Sequence, residues 1–427
     1  MNAPRRAEVE AMLATVSAVT RSTHKTRVLA AIAWPKEVEA RFFAGGCEAL
    51  PEVEYAVDRD ALNARVADLD AALEALPGDD VVGSWLRGVV ASMRDANRLV
   101  LALGTREFST ISGALYGTAG TRFHGGLRNI DLATHLLDRL RVHGWDAADD
   151  PPEEPLTAEA LARSLLERVA REIPGLDLEV RIDPTLTAKV VAGSTRVRIR
   201  ADATFTPWEA EGLWHHEVET HCLTAQNGAA QPRARFLRAG GPRSTASQEG
   251  LAVFAEMYHH CLSVARMQRL ARRVVLVDMA EGGADFLDLY RHLLAEGSSP
   301  REAFLDAQRV CRGGLVTGGG PFTKDASYLA GLLDVQAFLS AVMRGGLRDE
   351  LGLLVCGRID LDDLHALVVL QQLGVLQRPK FLPGWLRRWQ TLLPEFAFAS
   401  FLDGVSLAPV AEHFSALIAT ATAAARP

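Results

Sequence analysis

Two histidines stand five positions apart in the run His215-His216-Glu217-Val218-Glu219-Thr220-His221, and this spacing constrains the backbone more than any other feature of the 427-residue chain. The run lies on a helix with a clear start: Thr206 is an N-cap threonine, Pro207 takes the first helical position, and Glu209 is placed to close a capping box. At about 3.6 residues per turn, His216 and His221 fall about 140° apart on a regular helix, too far around to meet one small ion. An i to i+5 turn brings the two positions onto one face, and such π-bulges occur often at functional sites. The spacing therefore predicts a π-bulge between His216 and His221. The alternative is the solvated face of an amphipathic helix, which asks nothing of the backbone.

Five of the 12 histidines (215, 216, 221, 259 and 260) fall within 46 residues, where even scatter places about one. Clustering of a ligand type invites a metal reading. The segment Ser247-Gln248-Glu249-Gly250-Leu251-Ala252-Val253-Phe254-Ala255-Glu256 opens another helix, with Leu251, Phe254, Ala255, Tyr258 and Leu262 as its apolar stripe. Glu249, Glu256 and His260 line up on a different stripe, at offsets of 7 and 11. Two carboxylates and an imidazole so placed can supply a third ligand and the groups that orient the ligands. Glu256-x-x-His259 also has the form of half a di-iron bundle site, but no second Glu-x-x-His stands in suitable context: Glu217 lies four before His221, not three.

Organisation along the chain agrees with a helical protein carrying a small sheet. Residues 1–150 are rich in Ala, Leu, Arg and Glu and read as an N-terminal helical region, ended by the acidic, proline-punctuated stretch Asp149-Asp150-Pro151-Pro152-Glu153-Glu154-Pro155. Residues 151–427 read as a core followed by a helical C-terminal region. Leu176, Leu178, Val180 and Ile182 alternate with charged residues, and Lys189 to Ala192 and Thr195 to Arg200 flank the turn Gly193-Ser194. Three strands in an antiparallel meander are the economical reading. With 46 basic against 53 acidic residues, no global positive field exists to hold nucleic acid or an anionic membrane. Nothing resembles a signal peptide or a bilayer-spanning run, and five scattered cysteines lack any C-x-x-C pair. A cytoplasmic protein with reduced thiols is the expectation.

Further motifs follow: Asn227-Gly228-x-x-Gln231-Pro232, the run Gln248-Glu249-Gly250-Leu251-Ala252, and Thr323-Lys324-Asp325 with Tyr328-Leu329-x-Gly331. Together with His216-Glu217-x-x-x-His221 they make the chain similar to the bacterial QEGLA-motif proteins, named for flavohemoglobin-expression modulation, and to their eukaryotic relatives, the microtubule-associated tyrosine carboxypeptidases. Glu219 stands where the eukaryotic pattern carries a small residue, a difference that bears on substrate fit rather than on metal binding. The resemblance implies an α+β, predominantly helical fold with a zincin-like metallopeptidase core and a small antiparallel sheet beside the active helix. It also implies zinc held by His216, His221 and Glu249, with Glu217 as general base and the C-terminus of a peptide or protein as substrate. A carboxypeptidase needs a cation for the terminal carboxylate and a donor for the developing oxyanion. Arg309, Arg312 and Lys324 flank the glycine-rich loop at 313–321, and the family match favours Lys324 and Tyr328 for these tasks. Glu256, His260 and His215 are expected behind the ligands. Two other readings stay open, a zinc amidase acting on a small amide and a regulatory protein that keeps its metal without peptidase activity.

Overall fold

The computed structural model describes residues 3–22, 26–124, 126–141, 154–186, 189–345, 349–402 and 405–424, and these are mostly helical with two small sheets. The stretch expected to separate the two regions lies outside the described residues except for Glu154 and Pro155. Local signals set many helix starts. Asp58 and Asp80 accept from backbone N–H groups three residues on and open Arg59–Ala75 and Val81–Leu101. Thr206 and Glu209 form a complete capping box, with Pro207 at the first position of Pro207–Leu213.

The sheet is mixed and not the expected antiparallel meander. β1 (Leu156–Thr157) pairs antiparallel with β5 (Thr204–Phe205), whereas β2 (Glu179–Asp183), β3 (Val190–Ala192) and β4 (Arg196–Arg200) form a mixed sheet in the order β2-β4-β3. β3 and β4 are the expected hairpin, but β2 lies parallel to β4 on its far edge. Alternation tells which residues share a face and says nothing about the neighbour or its direction. The parallel register sets Val180 beside Val197 and Ile182 beside Ile199, so one face carries the apolar pairs while Glu179 accepts from Arg196 on the other. Val197 and Ile199 are fully buried in the main core with Trp214, Val218, Leu251, Phe254 and Trp385.

Two close approaches place the helices that matter. Thr245–Tyr258 crosses Ser327–Gly345 where Gly250 meets Gly331, and a Cβ on Gly250 would lie 2.2 Å from the Gly331 carbonyl oxygen. Only glycine permits this contact, so the two glycines of separate motifs are one packing device. Asn227 and Gln231 act as tethers: Asn227 Nδ2 donates to the carbonyls of Val355 and Phe381, and Gln231 Nε2 donates to that of Gln377. Asn227 Oδ1 accepts from Phe381 N–H and Gln231 Oε1 from Gln377 N–H, which binds the C-terminal region to the helix Leu223–Ala230. Among the described residues one helical stretch, Thr323–Gly345, is long and apolar enough to cross a bilayer, unlike anything expected from the sequence, and half of its most apolar window is buried within the fold.

Candidate metal centre

Residues Trp214–Cys222 form a π-helix, so the predicted wide turn is present and spans the whole histidine run. Thr220 Oγ1 donates to the His215 carbonyl five residues back, at 2.9 Å. Trp214, Val218 and Cys222 anchor the segment in the core. The wide turn brings the His216 and His221 rings to 4.9 Å between centroids. Glu249 arrives from Thr245–Tyr258, and its Oε2 lies 3.6 Å from Nε2 of each histidine.

These three donor atoms fit a metal ion. All lie within 4.8 Å of one another, and the 3.6 Å separations approach the donor spacing of about 3.3 Å that tetrahedral bonds near 2.0 Å require. His216 Nδ1 meets Glu256 Oε1 at 2.6 Å, which leaves Nε2 to face the centre, the carboxylate–histidine arrangement that orients metal ligands. Arg266 holds Glu256 in turn. Burial alone would raise the pKa of Glu249, but the Lys324 charge and the two imidazoles reverse this and keep the carboxyl well below its ordinary range. Burial opposes a charged His216, yet bonds to Glu249 and Glu256 hold its pKa well above the ordinary value. A buried carboxylate thus faces a buried imidazolium here, and a metal ion bound in the same place would displace the imidazole's proton.

Around the triad the remaining residues divide by what claims them. Glu217 is partly exposed beside His216, and its charge reaches Arg358. Lys324 Nζ donates to Glu249 Oε1 at 2.9 Å and to the Tyr328 hydroxyl at 3.4 Å. Arg309 is held by Asp325 through two bonds of 2.7 Å. Among the described residues Arg312 and Arg273 have no such bidentate partner, Arg273 reaching Asp325 only at 3.8 Å, and burial together with the Arg309 charge pushes both down to about 10. Arg273 stands 6.0 Å from the Tyr328 ring.

Residues 40–404 match a family model described as microtubule-associated tyrosine carboxypeptidase. The chain belongs to that family. No curated protein matches the sequence. Among solved structures, Trypanosoma cruzi metallocarboxypeptidase 1 is similar at 15% identity and a TM-score of 0.36, covering 90% of this chain and 94% of that one. So loose a likeness carries no argument about either site or fold.

Of the residues expected behind the ligands in this member of the tyrosine carboxypeptidase family, only Glu256 stands there. His260 does not: the helix ends at Tyr258, and His260 is exposed with a left-handed φ of 55°. The periodic stripe that included it assumed one more helical turn than forms. His215 turns away from the centre, to Glu219 at 2.6 Å and to a stack on His259. Cys222 is a buried thiol pushed up to about 12 by its burial, not a nucleophile. Arg266, Arg273 and Arg358 were not singled out from the sequence. Arg266 lies with Arg269 and Arg273 at i, i+3 and i+7 on Val264–Glu281, a stripe that helical spacing shows. Arg358 donates to the His221 carbonyl at 3.1 Å from an irregular segment and carries no pattern of its own.

Proposed function

We propose that this member of the family is a zinc-dependent carboxypeptidase of the QEGLA branch, removing a residue from the C-terminus of a peptide or protein. The observation that carries the reading is the convergence of His216, His221 and Glu249 on one point, with Glu217 beside it and Lys324 bonded to the third donor. His216, His221 and Glu249 would hold the ion. Zinc supplies Lewis acidity, polarising a scissile carbonyl and acidifying water next to it. Glu217 takes the water's proton and returns it to the leaving amine. Tyr328 donates its hydroxyl hydrogen bond to the developing oxyanion. Lys324 and Arg312 receive the terminal carboxylate, while Arg309 keeps Asp325 in place among them. The run 248–252 and its glycine contact support the branch, and an aromatic last residue is the preference the family suggests. We place the enzyme in the cytoplasm, a setting that suits its five unpaired cysteines.

Two readouts on Glu217→Gln test the assignment. Zinc content should stay near one per chain, while release of the last residue from peptides with free C-termini falls about 10²- to 10⁴-fold. Retained hydrolysis in that variant would remove Glu217 from the mechanism.

A further inference from the structure

Two helices near residue 400 carry an apolar surface that the fold leaves uncovered. Leu392–Leu402 buries Leu392 and Phe396 in the main core and turns Phe398 and Phe401 outward, 66% and 62% exposed. Past residue 404, where the family match stops, Ala408–Ala424 forms a further helix, and every residue from Val405 to Leu417 is exposed. Pro409 sits in its first turn and alanines fill much of the rest, so the sequence itself favours this helix. Leu407, Val410, Phe414, Leu417, Ala421 and Ala424 recur at steps of three, four, three, four and three. These are the a and d positions of a heptad repeat, the narrow seam on which one helix pairs with another, whereas a helix lying on a globular body shows a broader stripe. A single helix of this length is marginal in water, so the seam needs a partner.

Charge and area name that partner. The positions beside the seam hold Ala411, His413, Ile418 and Thr420, with no carboxylate, ammonium or guanidinium to repel a like helix or to select an unlike one. Glu412 falls on the far side of the helix. Residues 392–424 contain no Lys or Arg, the residues by which a surface helix holds an anionic bilayer. Phe398, Phe401 and Phe414 are each more than half exposed, and at roughly 150–250 Å² for a whole phenylalanine the three offer about 350 Å². With the exposed Val and Leu residues of the seam the patch approaches the roughly 800 Å² per partner of a standard interface. A two-fold dimer uses one such self-complementary patch twice. We propose that Ala408–Ala424 pairs with the same helix of a second copy of this chain, in a dimer whose interface is the heptad seam together with Phe398 and Phe401. The pairing is independent of the metal centre and of the carboxypeptidase reading.

Sedimentation equilibrium of the full chain tests the proposal. The wild type at micromolar concentration should sediment with twice the mass of one chain. Phe414→Glu combined with Leu417→Glu puts charge at neighbouring a and d positions and should raise the dimer dissociation constant about 100-fold or more. Both residues are exposed in the single chain, so thermal unfolding of the variant's body and its zinc content should match the wild type's. Phe398→Glu, on the other helix, should weaken the dimer as well, whereas Glu412→Lys on the outer side should leave it unchanged. Flotation with vesicles of phosphatidylcholine and phosphatidylglycerol should recover no protein. A monomeric wild type, a dimer that survives the double substitution, or a monomer that floats with the vesicles would each overturn the assignment.

Discussion

Two clusters of two imidazoles and one carboxylate meet at the π-helix, and adjacent residues begin them. His216, His221 and Glu249 bring their donors within 4.8 Å of one another, and so do His215, Glu219 and His259. The likeness ends there. In the first, the rings stand at 85° and both Nε2 atoms face one carboxylate oxygen. In the second, the rings are stacked at 3.6 Å and 5°, so their in-plane lone pairs run side by side and do not converge. Glu219 is spoken for as well, accepting from Gly384 N–H at 2.9 Å and meeting His215 Nδ1 at 2.6 Å. Equal donor sets therefore have unequal uses: one builds a centre, and the other ties the π-helix to the C-terminal segment. The lesson is that proximity of ligand types is a weak criterion beside the direction of their lone pairs.

The sharpest way to break this comparison is to remove one imidazole from each cluster. His221→Ala should lose nearly all bound zinc by elemental analysis, whereas His259→Ala should keep it; equal loss from both would unite the clusters. Next in size is Glu256→Gln, which removes the carboxylate behind His216 and should weaken zinc binding about 10- to 100-fold in a chelator competition. Glu219→Ala should leave zinc affinity intact but cost about 3 kcal/mol in denaturant unfolding, because it strips a buried imidazole and a buried amide of their acceptor. The smallest effect concerns pH. Burial and then the His215 charge push the His259 imidazole down to about 4 from 6.5. Its folded pKa lies below its unfolded one, so the contribution is whole above about pH 6.5 and is lost as pH falls toward 4. In His259→Phe the unfolding free energy should decline less steeply across that window.

Much of the centre could be read along the chain because its signals are local. Five-residue spacing on a capped helix demanded the π turn, and helical periodicity put Glu249 and Glu256 on one stripe; both hold in the structure. The same periodicity misplaced His260, since nothing local shows that the backbone leaves the helix at Tyr258 and turns left-handed two residues later. Alternation found β2, β3 and β4 but could not decide that β2 pairs in parallel with β4, because register and direction are settled by what the sheet packs against.

By itself, then, the amino-acid sequence determined the caps, the wide turn, the hairpin and the residue types of the centre, all of which depend on interactions within a few positions. Tertiary structure decided which of two neighbouring histidines faces the centre, that Arg309 rather than Arg312 takes Asp325 in a two-bond pair, and that Gly250 and Gly331 meet backbone to backbone. The physical reason is that a side chain's direction and its share of a charge network are set by packing among elements tens of residues apart, which no local spacing records.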